Sequence, residues 1–201
     1  MDFRDVDEIV PRRRVAAALH RSAGFNLIEL LVVVTIVAIL LGIGIPSFRY
    51  VTNSNRVATE VNGLLGDLQF ARSEAIKEGA TVSVCAASNP TATTAACAAS
   101  NSWQTGWVVF VDVNSSGNID DPGDTVLRVQ TKFASATDTF VADNGVQFVS
   151  FNREGFATGL PAAAVTLTLH TSPVVASWTR CLQINMVGNM TTEQPNQGNC
   201  Q

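Results

Sequence analysis

The chain has 201 residues, 46% hydrophobic and 15% charged, enough for one domain plus one long extra element but not for two domains. Its formal charge is −4, and beyond Gly24 eight Lys and Arg face thirteen Asp and Glu, a balance of −5 that leaves no electrostatic footprint for nucleic acid. The four cysteines lack metal-ligand spacing and only His170 follows Gly24, which excludes a zinc site of the usual kind and predicts no cofactor.

In chain order, a basic leader comes first. Arg12, Arg13, Arg14 and Arg21 precede an apolar run with no acid between Arg12 and Asn26. The sixteen residues Leu30 to Ile45 carry no charge and one hydroxyl, Thr35. This run approaches the roughly 20 residues that cross a hydrocarbon core, and it is apolar on every face, which predicts a transmembrane segment over about 27–46. By the positive-inside rule the N-terminus stays cytoplasmic, so everything after Tyr50 lies across the membrane. Glu29 sits at the mouth of the run. A carboxylate at bilayer depth costs on the order of 2.5 to 3.5 kcal/mol at a helix centre and less near an interface, so it calls for a partner. Pro46, preceded by Gly42 and Gly44, is expected to bend or loosen the helix, because proline removes an intrahelical hydrogen bond.

A secretory signal places its small residues after the apolar region. Here Ala23-Gly24 precede it. Gly24, Phe25, Leu27, Glu29 and Leu30, followed by the long apolar helix, resemble the type III signal of type IV prepilins and type II secretion pseudopilins. That resemblance implies a leader over 1–24, cleavage after Gly24 by a prepilin peptidase, and N-methylation of Phe25. It also implies that Glu29 pairs with the N-terminal amine of a neighbouring subunit, setting the axial register as the chain leaves the bilayer for a filament.

Past Pro46 the apolar positions Val57, Val61, Leu64, Leu65, Leu68, Ala71, Ala75 and Ile76 recur at three- and four-residue spacing, predicting an amphipathic continuation that Gly79 ends. The helix is thus expected over 25–78. From Ala80 the period becomes two. Short strands are expected in "TVSVC", "GWVVFVDV", "TVLRVQ", "GVQFVSF", "AVTLTLH" and "RCLQINMV". Val165, Leu167 and Leu169, and Leu182, Ile184 and Met186, form the faces expected to pack on the helix. The fold class is α+β: a long N-terminal helix, half transmembrane and half amphipathic, on an antiparallel β-sheet domain over 79–201.

All four cysteines fall in that exported part, where an oxidising periplasm favours disulfides. Three connectivities are open. Pairing Cys85 with Cys97 and Cys181 with Cys200 closes the shorter loops, each worth roughly 3 kcal/mol. The stretch "AASNPTATTAACAASNS" between the first pair is expected as a surface loop. In "DVNSSGNIDDPGD", Asp112, Asn114, Ser116, Gly117 and Asp120 match the early positions of a calcium-binding EF-hand loop, but Gly123 stands where the bidentate acid belongs. The stretch is expected to be a hairpin loop, with Asp112, Asn114, Ser116 and Asp120 as a calcium candidate.

Trp103, Gly106, Trp107, Phe110 and Asp112, then Phe148, Gly155 and Gly159, and finally the segment between Cys181 and Cys200, resemble in this order the GspH/FimT/FimU group of minor pilins and pseudopilins. Within that group, the resemblance is nearest to FimU-like minor pilins. The FimT branch binds DNA through a Gly-Arg-x-Arg motif on a late hairpin; here the place reads "GNMT", Gly188 to Thr191, with neither arginine, and nucleic acid is not an expected partner. The resemblance therefore implies a minor pilin that helps prime pilus assembly and links other minor pilins to the major pilin at the tip, held in the inner membrane beforehand and displayed on the surface afterwards. A DNA-binding minor pilin and a secretion pseudopilin are the alternatives. No catalytic residue is expected: a triad would have to use His170, and no nucleophile motif such as Gly-x-Ser-x-Gly accompanies it.

Overall fold

The structure is a computed structural model that describes residues 26–200 apart from Ala92 and Asn199. The leader, Gly24 and Phe25 lie outside the described residues. Among the described residues one α-helix, α1 (Leu27–Glu78), is followed by nine strands: β1 (Val82–Ala86), β2 (Gly106–Val111), β3 (Thr125–Thr131), β4 (Thr139–Ala142), β5 (Phe148–Phe151), β6 (Ala157–Thr158), β7 (Ala164–His170), β8 (Arg180–Asn185) and β9 (Met190–Glu193). The chain divides between Ile45 and Pro46 into two units.

In the first unit, Asn26 starts α1 by accepting the Ile28 N–H on its side-chain oxygen at 3.4 Å and the Leu30 N–H on its carbonyl at 3.0 Å. The single hydroxyl of the apolar run is satisfied within the helix, since Thr35 donates to the Leu31 carbonyl at 2.8 Å.

The second unit holds the rest of α1 and all the strands. Val57, Val61, Leu64, Leu68, Ala71 and Ala75 are fully buried, one apolar stripe alternating four and three residues apart. Leu65 is half-buried against the same core, whereas Ile76 is 53% exposed, because the stripe turns away from it in the last turn. Gly79, at φ 65°, ends the helix by donating its N–H to the Ala75 carbonyl at 3.0 Å, a left-handed stop that a residue with a Cβ adopts only at a cost.

The strands form two sheets rather than one, in the orders β3-β2-β1-β5-β6 and β4-β7-β8-β9, with every pairing antiparallel. The main core lies between α1 and the inner faces of both sheets. It takes Val82, Val84 and Ala86 of β1, Trp107 and Val109 of β2, Val165, Leu167 and Leu169 of β7, and Leu182 and Ile184 of β8. A second, smaller core covers the outer face of the five-stranded sheet, where Cys85, Ala87, Val108 and Phe110 are buried under Ala95, Cys97, Ile119 and Phe148. That double burial explains why β2 reads as a continuous apolar run rather than an alternating one. Met186 is 47% exposed because β8 ends at Asn185 and the chain turns before it.

Candidate assembly interface

From Leu27 to Ile45 the helix exposes apolar side chains on all faces. At 1.5 Å per residue these positions span about 28 Å, close to the thickness of a hydrocarbon core. Among the described residues, α1 is the one helix long and apolar enough to cross a membrane. Glu29 is its first-turn acid, exposed, where the unpaired N–H groups of a helix start favour a negative charge. Gly42 and Gly44 have open space around them.

Three contacts fasten the later part of α1 to the sheets. Asp67, off the apolar stripe, accepts the Trp107 indole Nε1–H on Oδ2 at 2.8 Å and Arg128 Nη1 on Oδ1 at 3.0 Å. The Arg128 guanidinium lies 3.5 Å from the centroid of the Phe70 ring, so one arginine of β3 grips two helix side chains by charge and by cation–π contact. Nearer the membrane run, Arg56 pairs with the buried Asp138 and lies 3.6 Å from Glu60. Burial pushes the Glu60 carboxyl up, Arg56 pulls it down and Asp138 pushes it up again, leaving it above the ordinary range. Finally, Arg72 donates to the carbonyls of Gly188 at 2.8 Å and Val187 at 3.3 Å, tying the turn after β8 to the helix. Apart from the Arg56–Glu60 pair, which is one helical turn apart, these partners are distant in sequence, and only the tertiary fold brings them together.

The candidate calcium residues share one loop, where both Asp112 oxygens and Asp120 Oδ1 accept hydrogen bonds. Buried Asp112 accepts the Ser83 hydroxyl at 2.6 Å and the Gly117 N–H at 2.8 Å on Oδ2, and the Ser116 N–H at 3.0 Å on Oδ1. Asp120 Oδ1 accepts from Asn114 at 2.9 Å and Ser116 at 3.1 Å. Asp124 closes the loop by accepting the N–H groups of Val113, Asp120 and Asp121. Burial pushes the Asp124 carboxyl up, but those three donors outweigh it and hold the group below the usual carboxylate range. Gly117, at φ 75°, presses on Phe148, and a Cβ there would collide with the ring. Among the described residues no three His, Cys, Asp or Glu side chains are grouped as a metal site.

Cys85 is bonded to Cys97 and Cys181 to Cys200. The first bond holds the loop after β1 over the outer core, and the second draws the chain end onto β8. His170, half-buried on β7, lies 3.3 Å from the Thr179 hydroxyl with no nucleophile and acid arranged around it among the contacts of the described residues. The contacts these groups make are disulfide pairing and packing.

The family described as type II transport protein GspH matches residues 60–188, and the prokaryotic N-terminal methylation motif matches residues 19–45. Two crystal structures of the type IV minor pilin FimU from Pseudomonas aeruginosa strain PAO1 share the fold. One is 23% identical over 73% of this chain and 95% of the FimU chain, with a TM-score of 0.55. In a second crystal form the identity is 22%, the coverage 71% of this chain and 98% of that one, and the TM-score 0.52. No curated protein matches the chain. A long N-terminal helix carrying a β-sheet head, with the family match spanning more than half the residues, places this chain in the GspH family, whose fold is that of a type IV pilin.

Proposed function

We propose that the chain is a minor pilin of a type IV pilus, a non-catalytic subunit that helps prime assembly and links other minor pilins to the major pilin in a tip complex. The observation that carries this reading is α1 itself: its first part is exposed and apolar on every face, and its later part is the spine of a folded head. Such a helix needs lipid around it before assembly and other helices around it afterwards. In this reading a prepilin peptidase cuts after Gly24 on the cytoplasmic side of the inner membrane, Phe25 becomes the methylated first residue, and the head folds in the periplasm with its disulfides. Glu29 then pairs with a neighbour's N-terminal amine, removing two uncompensated charges from an apolar bundle. Pro46 leaves the Gly42 carbonyl without its helical donor, and with Gly44 nearby it supplies a place where the helix yields during packing.

A second reading, a subunit of a type II secretion system, is favoured by the description of the matching family. DNA binding has less support, since the late hairpin carries no arginine of its own and Arg72, which reaches it, donates from both Nη atoms to the Gly188 and Val187 carbonyls. A strain lacking the gene separates the readings. The pilus reading requires a steep drop in sheared surface pilin, restored by the wild-type gene; unchanged pili with blocked exoprotein release would replace it with the secretion reading.

A further inference from the structure

One aromatic pair lies outside the core and the disulfide loops. Tyr50 on α1 meets Trp178, at the end of the short 3-10 turn Ala176–Trp178, with ring centroids 5.8 Å apart. Tyr50 is itself 49% exposed, and exposed apolar side chains flank the pair on both segments: Phe48 at 73% on the helix and Val174 at 69% in the loop that leads to the turn. Arg49, also exposed, adds a positive charge. The Trp178 Nε1–H is shielded and has no acceptor among the described residues.

Chain connectivity limits what this patch can face. Tyr50 is five residues beyond Ile45, the last residue of the apolar run, and a chain spans at most about 3.5 Å per residue, so Tyr50 lies within about 17 Å of the end of that run in any orientation of the head. The headgroup layer begins there. Trp and Tyr concentrate at that depth because their rings join an apolar body to a polar tip, and a guanidinium there finds lipid phosphates. We propose that Tyr50 and Trp178, with Phe48, Val174 and Arg49, form an interfacial anchor that seats this part of the head in the headgroup layer of the bilayer before the subunit enters a filament. The inference rests on the membrane reading of α1.

The test uses the full chain reconstituted into phosphatidylcholine vesicles with and without lipids brominated near the headgroup end of the acyl chains. Of the three tryptophans, Trp103 and Trp107 are buried in the head and out of reach of lipid. Bromolipid is expected to quench the emission by up to about one-third, the share of one indole in three, and Trp178→Phe is expected to abolish that quenching while the chain still floats with the vesicles. Flotation without quenching, or equal quenching in Trp178→Phe, overturns the anchor and leaves the membrane reading standing. Trp178 emission that ignores bromolipid but shifts with chain density assigns the patch to a second copy, and also overturns it. A chain that fails to float removes the membrane reading and the anchor with it.

Discussion

Replacing Asp112 by Ala tests whether the loop after β2 is held by hydrogen bonding. The side chain is buried and accepts three hydrogen bonds, from Ser83 Oγ, Gly117 N and Ser116 N. A hydrogen bond to a charged group contributes about 1.5–3 kcal/mol net. The loss is not the full sum, because two of the donors keep alternatives: Ser83 retains the Ser150 hydroxyl at 2.6 Å, and Ser116 N retains Asn114 Oδ1 at 3.1 Å. Only the Gly117 N–H is stranded, beside the Phe148 ring. The expected cost is therefore about 3 kcal/mol, which for a chain of this size lowers Tm by about 6–12 °C. Thermal unfolding of the full chain in detergent, followed by tryptophan emission and near-ultraviolet circular dichroism, measures it. Asp112→Asn keeps one acceptor but turns an NH2 toward a donor, and belongs between the wild type and Asp112→Ala. A drop of less than about 2 °C for Asp112→Ala would refute the reasoning, because it would mean that the network contributes less than one ordinary hydrogen bond.

The Glu60 carboxyl is raised in the folded state, first by burial, so its contribution to stability is full below the unfolded value of 4.5 and is lost as pH rises through the raised value. Glu60→Gln is accordingly expected to flatten the pH dependence of stability above 4.5 and to leave the variant at least as stable as the wild type at neutral pH, measured by urea titration across that range. Removing the Cys181–Cys200 bond by a double Ser substitution opens a loop with a sequence separation of 19 and should cost about 3 kcal/mol by loss of chain constraint, seen as a lower urea midpoint. Millimolar calcium should leave Tm unchanged, since both Asp112 oxygens and Asp120 Oδ1 already accept hydrogen bonds within the protein; a rise in Tm specific to calcium over magnesium would contradict that.

The later part of the helix and the alternating strands were readable from their period, and the first part of the helix from its unbroken apolar run. Val57 through Ala75 recur at helical spacing because one face of α1 meets both sheets, and β7 alternates because one of its faces meets the helix. Three strands carried no such signal. β4 (Thr139–Ala142), β6 (Ala157–Thr158) and β9 (Met190–Glu193) are four residues or fewer, and β9 reads as Met-Thr-Thr-Glu, so an edge position rather than an apolar pattern defines it. The division into two sheets was also invisible, because it depends on which strands pair across long separations. Glu29 stood out in the sequence as a charge in an apolar run. Asp67, by contrast, looked like any polar residue on a helix surface, and nothing local predicts that Trp107 and Arg128 converge on it.

If the subunit leaves the bilayer for a filament through its apolar helix, Glu29 is the group that pairs it with its neighbour. The most direct measurement compares wild type and Glu29→Ala for three quantities in the same strain: membrane insertion, processing after Gly24, and recovery of the chain in pili sheared from the cell surface. Glu29→Ala is expected to insert and to be processed normally and to be lost from the sheared pili. Recovery of the variant in pili at the wild-type level would contradict it.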